Sequence, residues 1–177
     1  MMAIEGEIPD RAFSWASAAQ PDWNGVYAEQ LPRVYNYFRY RLGNEATAED
    51  LTSLTFEKAW TARHRYRKDL AGFATWLLTI ARNVAIDHLR ADRHHAPIDE
   101  GLDVADGGTP EDDLSNRSDL TRLASLMRRL TAREQELLAL KYGAGASNRA
   151  IAEVTGLSES NVGTIVHRAV QTLREQW

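Results

Sequence analysis

Between Leu130 and Leu173 the chain is punctuated so regularly that few folds remain open to it. Thr131 followed by Glu134 three residues later is a capping-box pattern, which starts a helix by satisfying backbone N–H groups left free in its first turn. Leu137, Leu138 and Tyr142 give that helix an apolar side. Gly143 and Gly145 end it. Ser147 is placed to cap a second helix with Ile151 and Val154 turned inward, Gly156 to stop it, and Ser158 to cap a third. In the third helix Val162, Val166, Ala169 and Leu173 fall at i, i+4, i+7 and i+11, a single stripe of core positions. The residues left outside include Ser160, Thr164, His167 and Arg168, which are suited to phosphate and base-edge contact with duplex DNA. A packed helical hairpin with a solvated outer face would share this periodicity. The glycine-bounded turn and the tandem caps favour a helix-turn-helix.

The first half of the chain also reads as helix. Tyr27, Leu31, Val34, Tyr35, Phe38 and Leu42 recur at helical spacing, and Pro32 within the run predicts a late start or a kink. Gly43-Asn44 makes the turn. Glu49 and Asp50 suit the positive end of the next helix, which continues through Leu51, Thr55 and Ala59 to Trp60. A basic segment, Arg63 to Asp69, leads into a long helix with Phe73, Trp76, Leu77, Ile80 and Val84 on one side, ending near Arg90 or Arg93. No alternating strand pattern is visible, so the expected fold is all-α: two small helical domains, an N-terminal bundle and a C-terminal helix-turn-helix, joined by a linker.

Charge divides the chain in the same places. Residues 26–95 carry eleven Lys or Arg against eight Asp or Glu, and residues 117–177 carry nine against six, so each block is +3. Residues 96–116 hold seven acids and no base, with Pro97, Gly101, Gly107, Gly108 and Pro110 among them. That strip reads as a flexible or extended linker. It is either a solvated spacer or an imitation of nucleic acid for a basic channel on a partner. The expected organisation is an N-terminal extension at 1–25, a helical domain at 26–95, an acidic linker at 96–118 and a helix-turn-helix domain at 119–177. In the extension, Phe13, Trp15 and Trp23 tilt the reading towards docking on the first domain.

The basic segment Arg63-His64-Arg65-Tyr66-Arg67-Lys68 surrounds one aromatic with cations. Such loops hold unpaired bases, the cations tracking phosphate and the ring stacking. Packing of Tyr66 on its own domain explains the composition equally well.

These motifs, taken together, resemble the extracytoplasmic-function class (group 4) of sigma-70 family RNA polymerase sigma factors. The resemblance rests on Ala48-Glu-Asp-Leu51 with Phe56 and Ala59-Trp60, on the run from Phe73 to Arg90, and on the C-terminal pair from Leu130 to Glu134 and from Val162 to Arg168. It implies a protein that binds core RNA polymerase, helps open the promoter at its −10 element and reads the −35 element as duplex. The linker would thread the polymerase's basic interior. By this resemblance Glu49, Asp50, Ser53, Leu54 and Glu57 contact polymerase, although the family usually has Gln and an acid at 53 and 54. Tyr66, Arg67, Lys68, Asn83 and Arg90 contact the −10 element. Lys141, Ser160, Thr164, His167 and Arg168 contact the −35 element. The family's usual Lys or Arg at 163 is Gly163 here, which removes a DNA contact and costs roughly 1 kcal/mol in a helix. An anti-sigma factor is the further partner implied.

The C-terminal third also resembles the reader of response-regulator (LuxR-like) factors, which bind DNA unaided. Specific binding leans on phosphate neutralisation, and a net charge of −4 over the whole chain suits a subunit better than a lone binder. No enzyme is expected, and no cofactor. The five histidines, His64, His88, His94, His95 and His167, show no metal spacing, and the chain has no cysteine to form disulfides or thiolate sites. Met1 to Asp10 is acidic and carries no signal-peptide pattern, and no run is apolar enough for membrane insertion, so a cytoplasmic protein is expected.

Overall fold

The computed structural model describes residues 23–95, 122, 123 and 125–177, and among these there is no strand. The linker and the extension up to residue 22, with Phe13 and Trp15, lie outside the described residues.

Helix α1 runs Trp23–Leu42. It begins well before Pro32 and passes through it, so the late start expected from the proline does not occur. Trp23 belongs to this helix rather than to an extension, and its indole meets Trp60 and Phe73 edge-on at 5.3 and 5.5 Å. Gly43 takes φ +75°, the left-handed region that a side chain would resist, and its N–H closes on the Arg39 carbonyl at 2.9 Å. Helix α2, Glu45–Ala62, then starts on Asn44, whose Oδ1 accepts from the Thr47 N–H at 2.8 Å. Asn44 and Glu45 therefore serve the positive end of this helix. Glu49 and Asp50 lie in its second turn, beyond the reach expected for them. A 3-10 turn at Arg63–Arg65 leads to α3, Phe73–His95, longer than the sequence suggests.

In the C-terminal lobe the caps fall where the sequence puts them. Thr131 Oγ1 accepts from the Glu134 N–H, and Glu134 Oε2 accepts from the Thr131 N–H at 2.8 Å, closing the capping box at the start of α4, Ala132–Leu138. Replacing Thr131 with alanine should cost about 1 kcal/mol, read as a lower urea midpoint at unchanged slope. A π-helical turn, Ala139–Gly143, follows. Ser147 caps α5, Asn148–Thr155, and Gly156 ends it at φ +74°. Ser158 caps α6, Glu159–Gln176.

Tyr142 is not part of the apolar side. It is 54% exposed, while Leu140 is fully buried. An α-helical period puts Leu138 and Tyr142 on one face; the wider π turn closes i to i+5 and shifts that phase. In α6 the expected stripe holds: Val162, Val166 and Ala169 are buried and Leu173 packs against them.

The two lobes pack against each other. One apolar cluster contains Val34, Tyr37, Phe38, Leu77 and Val84 together with Leu137, Leu140, Ala144 and Ile151. Helix α1 packs against α2 on one side and against the π turn on the other, and α3 also meets α5. Tyr37, outside the stripe read from the sequence, is fully buried at this junction.

Candidate nucleic-acid interface

Three groups of predicted site residues occupy three surfaces. On α2, Glu49, Asp50, Ser53, Leu54 and Glu57 are all exposed. Their spacing keeps them on the face opposite the buried Ala48, Leu51, Thr52, Thr55 and Ala59. The buried threonines satisfy their hydroxyls by donating to the Ala48 and Leu51 carbonyls at 2.6 and 2.7 Å. The outer face is thus free to carry acid groups around one apolar side chain, Leu54.

The second surface joins the basic loop to α3. Tyr66 is half-buried, with its ring centroid 5.3 Å from both Phe73 and Trp76. The packing reading of Tyr66 is therefore met, and burial pushes its phenol pKa up. The same rings continue through Phe73 to Trp23 and Trp60, an aromatic floor beneath the cationic loop. Lys68 is exposed. Arg67 donates to Asp69 at 2.6 Å, and this hydrogen bond holds the Asp69 carboxyl below its usual range. Asn83 and Arg90 are exposed seven residues apart on α3 and so share a face. Sequence reasoning placed Arg63 in the basic loop but missed Trp60 as part of this surface. Trp60 is half exposed, and the Arg63 guanidinium lies 4.1 Å from its ring centroid. The i, i+3 spacing of the pair was the available signal.

The third surface is the outer face of α6, where Ser160, Thr164, His167 and Arg168 are exposed. The Thr164 hydroxyl donates to the Ser160 carbonyl at 3.0 Å, leaving its oxygen free to accept. Lys141 stands apart from them. It sits half-buried on the π turn and donates to Asn148 Oδ1 at 2.9 Å. Gly163 is not simply an outward position lacking a cation. A side chain built there meets Asn148 Nδ2 at 3.4 Å, so the glycine lies where α6 passes the first residue of α5.

Among the described residues no cluster of three or more His, Cys, Asp or Glu is placed to hold a metal ion, and no helix is long and apolar enough to cross a membrane.

Against known proteins, Sigma-70 region 2 matches residues 26–95 and Sigma-70 region 4 matches residues 120–173. The ECF RNA polymerase sigma factor BldN of Streptomyces coelicolor is 36% identical over 162 residues, which cover 89% of this chain and 61% of that protein. The RNA polymerase sigma factor CarQ of Myxococcus xanthus is 31% identical over 157 residues, covering 89% of this chain and 90% of that protein. The fold resembles that of the sigma factor RpoE in complex with the anti-sigma factor NepR from Bartonella quintana, with a TM-score of 0.72 and 23% identity over 88% of this chain and 96% of that one.

Proposed function

Because this chain belongs to the extracytoplasmic-function class of the sigma-70 family, we propose that its three exposed surfaces divide the work of promoter-specific transcription initiation. The protein binds core RNA polymerase and directs it to promoter DNA. The acid-rich face of α2, Glu49, Asp50, Ser53, Leu54 and Glu57, docks on the polymerase. The basic loop and α3, through Tyr66, Arg67, Lys68, Asn83 and Arg90, hold the −10 element. Helix α6, through Ser160, Thr164, His167 and Arg168, reads the −35 element in the major groove, and Lys141 supports it from the π turn. The protein lends specificity to an enzyme rather than catalysing a reaction itself, and it acts in the cytoplasm beside the polymerase.

The observation that carries this reading is the match of both halves of the chain, in order, to region 2 and region 4. A lone response-regulator reader would need region 2 for nothing, and that reading is not favoured. An anti-sigma factor is the natural regulator, as in the RpoE–NepR complex.

Run-off transcription on genomic fragments tests the proposal. Core polymerase with the chain should select discrete start sites that core alone does not. Failure to select any defeats the reading, and tight binding to promoter duplex without polymerase would restore the autonomous one. Within α6, Arg168→Ala should weaken −35-dependent initiation by about 1–3 kcal/mol if it contacts a base. If it contacts phosphate instead, the loss is uniform across sequences and the salt slope falls by about one. Titrating salt over several −35 variants separates the two.

A further inference from the structure

Trp60 and Arg63 form a layered pair where α2 gives way to the basic loop. The indole is 51% exposed, although its ring also meets that of Trp23 at 5.3 Å. The Arg63 Cζ lies 4.1 Å from the indole centroid, and Arg63 Nη1 donates to the Trp60 carbonyl at 2.7 Å. Two contacts therefore hold one guanidinium in one place, over a ring that packing alone leaves half in water. Arg63 is itself exposed, so the plane it turns away from the indole is open to solvent. The 3-10 turn also closes the Tyr66 N–H on the Arg63 carbonyl at 3.2 Å, which fixes the spacing from the pair to Tyr66.

The pair is continuous with the surface proposed to hold the −10 element. Ring-to-ring steps of 5.3, 5.5 and 5.3 Å lead from Tyr66 through Phe73 and Trp23 to Trp60. Trp60 is thus within about five nucleotides of Tyr66 at the stacked spacing of a strand, and within fewer where the strand is stretched. Arg63, His64, Arg65 and Lys68 are exposed, and none is paired with an acid among the described residues; in this loop Arg67 alone has one, Asp69. Unpaired cations beside an open stacking plane fit an anion that carries planar rings, which is single-stranded nucleic acid. A duplex hides its base faces, so the pair has nothing to stack on until the strands part.

We propose that Arg63 and Trp60 form a second stacking subsite, which takes one unpaired base of the opened strand beyond those assigned to Tyr66 and Asn83. The inference rests on the −10 reading proposed above and deepens it. The base lies on the outer plane of the guanidinium, and Trp60 backs that plane and holds it in position. The guanidinium N–H groups not spent on the Trp60 carbonyl donate to the neighbouring phosphate. Such stacking accepts any base, because every base has a π-face. The subsite therefore adds grip on melted DNA without adding sequence preference. It favours strand opening, whereas Asn83 is the group placed to read a base edge.

The test is a titration of the full chain, bound to core polymerase, with a fluorescent single strand that carries the −10 element and flanking nucleotides on both sides. Arg63→Lys keeps the charge but removes the plane, and Trp60→Leu keeps an apolar contact for Trp23 but removes the indole. Each should weaken strand binding roughly tenfold, within the range for the loss of one stacked base. Arg63 is exposed, so its variant carries the test even where Trp60→Leu proves too unstable to purify. An abasic position moved along the strand then locates the base. At one position, distinct from those that respond to Tyr66→Ala or Asn83→Ala, the missing base should cost wild type about tenfold and cost Arg63→Lys almost nothing. Exchanging that base for any other should change binding little. Wild-type affinity in both variants overturns the subsite. So does an abasic profile that is the same in wild type and Arg63→Lys, since the pair would then serve the fold or a phosphate alone. A marked base preference at the located position overturns the stacking role. If wild type in complex with core polymerase binds no single strand, the −10 reading itself fails. If Tyr66→Ala with Asn83→Ala weakens binding while Arg63→Lys does not, that reading stands and the subsite alone is lost.

Discussion

Phe38→Ala is expected to destabilise the protein by about 3–5 kcal/mol, a large part of the roughly 5–15 kcal/mol that holds a folded chain. Phe38 is fully buried, and its ring lies 5.2 Å from that of Tyr37, the residue at the junction with the C-terminal lobe. Helix α1 meets α2, α3 and the π turn, so a cavity beneath Phe38 weakens the support of every element packed on that helix. Urea unfolding followed by near-ultraviolet circular dichroism should show one cooperative transition moved to lower denaturant. Tyr142 supplies a local probe, because it is half exposed in the C-terminal lobe. If the variant loses the N-terminal lobe while a probe at Tyr142 keeps its wild-type midpoint, the two lobes do not share a core.

Phe38 is legible in the sequence as a core position of its helix, but that its core extends into the C-terminal lobe could not have been drawn from the sequence, although much else could. The caps at Thr131, Ser147 and Ser158 work through groups two or three residues away, so they are legible in a short window, and all three are in place. The α6 stripe is legible for the same reason. The second face of α1 is not. Gln30, Arg33, Tyr37 and Arg41 fall at i, i+3, i+7 and i+11, and read alone they look like a solvated side. They are half-buried or buried because a segment about a hundred residues later lies across them, as the Arg33 bond to Ala144 shows. Gly143 shows the limit most sharply. The sequence marks it as a helix breaker, whereas the structure uses it to let two backbones touch.

The candidate site was legible to a similar degree. Thr164 and His167 on the outer face of α6 follow directly from the buried stripe opposite, whereas Glu49, Ser53 and Glu57 on α2 came from the family resemblance, and their exposure opposite the buried face of α2 agrees with it. Lys141 could not be placed in that way, because a π turn has no strong sequence signal and its hydrogen bond to Asn148 joins two elements. Trp60 was read as the end of the second helix, and although its i, i+3 spacing to Arg63 hinted at the pair, the half-exposed ring under the guanidinium is fixed by the 3-10 turn.

The largest functional loss should come from the surface proposed to hold the −10 element. Tyr66→Ala combined with Asn83→Ala is expected to reduce run-off from a −10-dependent promoter roughly 100-fold or more. A stacked base is worth ~1–3 kcal/mol, and a good amide contact to a base edge is worth a similar amount. Since Tyr66 also packs against Phe73 and Trp76, its removal disturbs the aromatic floor as well as any stack. Two controls separate these effects. Tyr66→Phe keeps the ring in the floor and keeps its stacking face, so it should retain most activity, and Asn83→Ala alters an exposed side chain and should leave the unfolding midpoint near wild type. Binding of a single-stranded −10 oligonucleotide by the protein–core complex is the decisive measurement. If the double variant binds that strand as well as wild type does, Tyr66 and Asn83 do not read unpaired bases, and the loop's aromatic serves its own lobe alone.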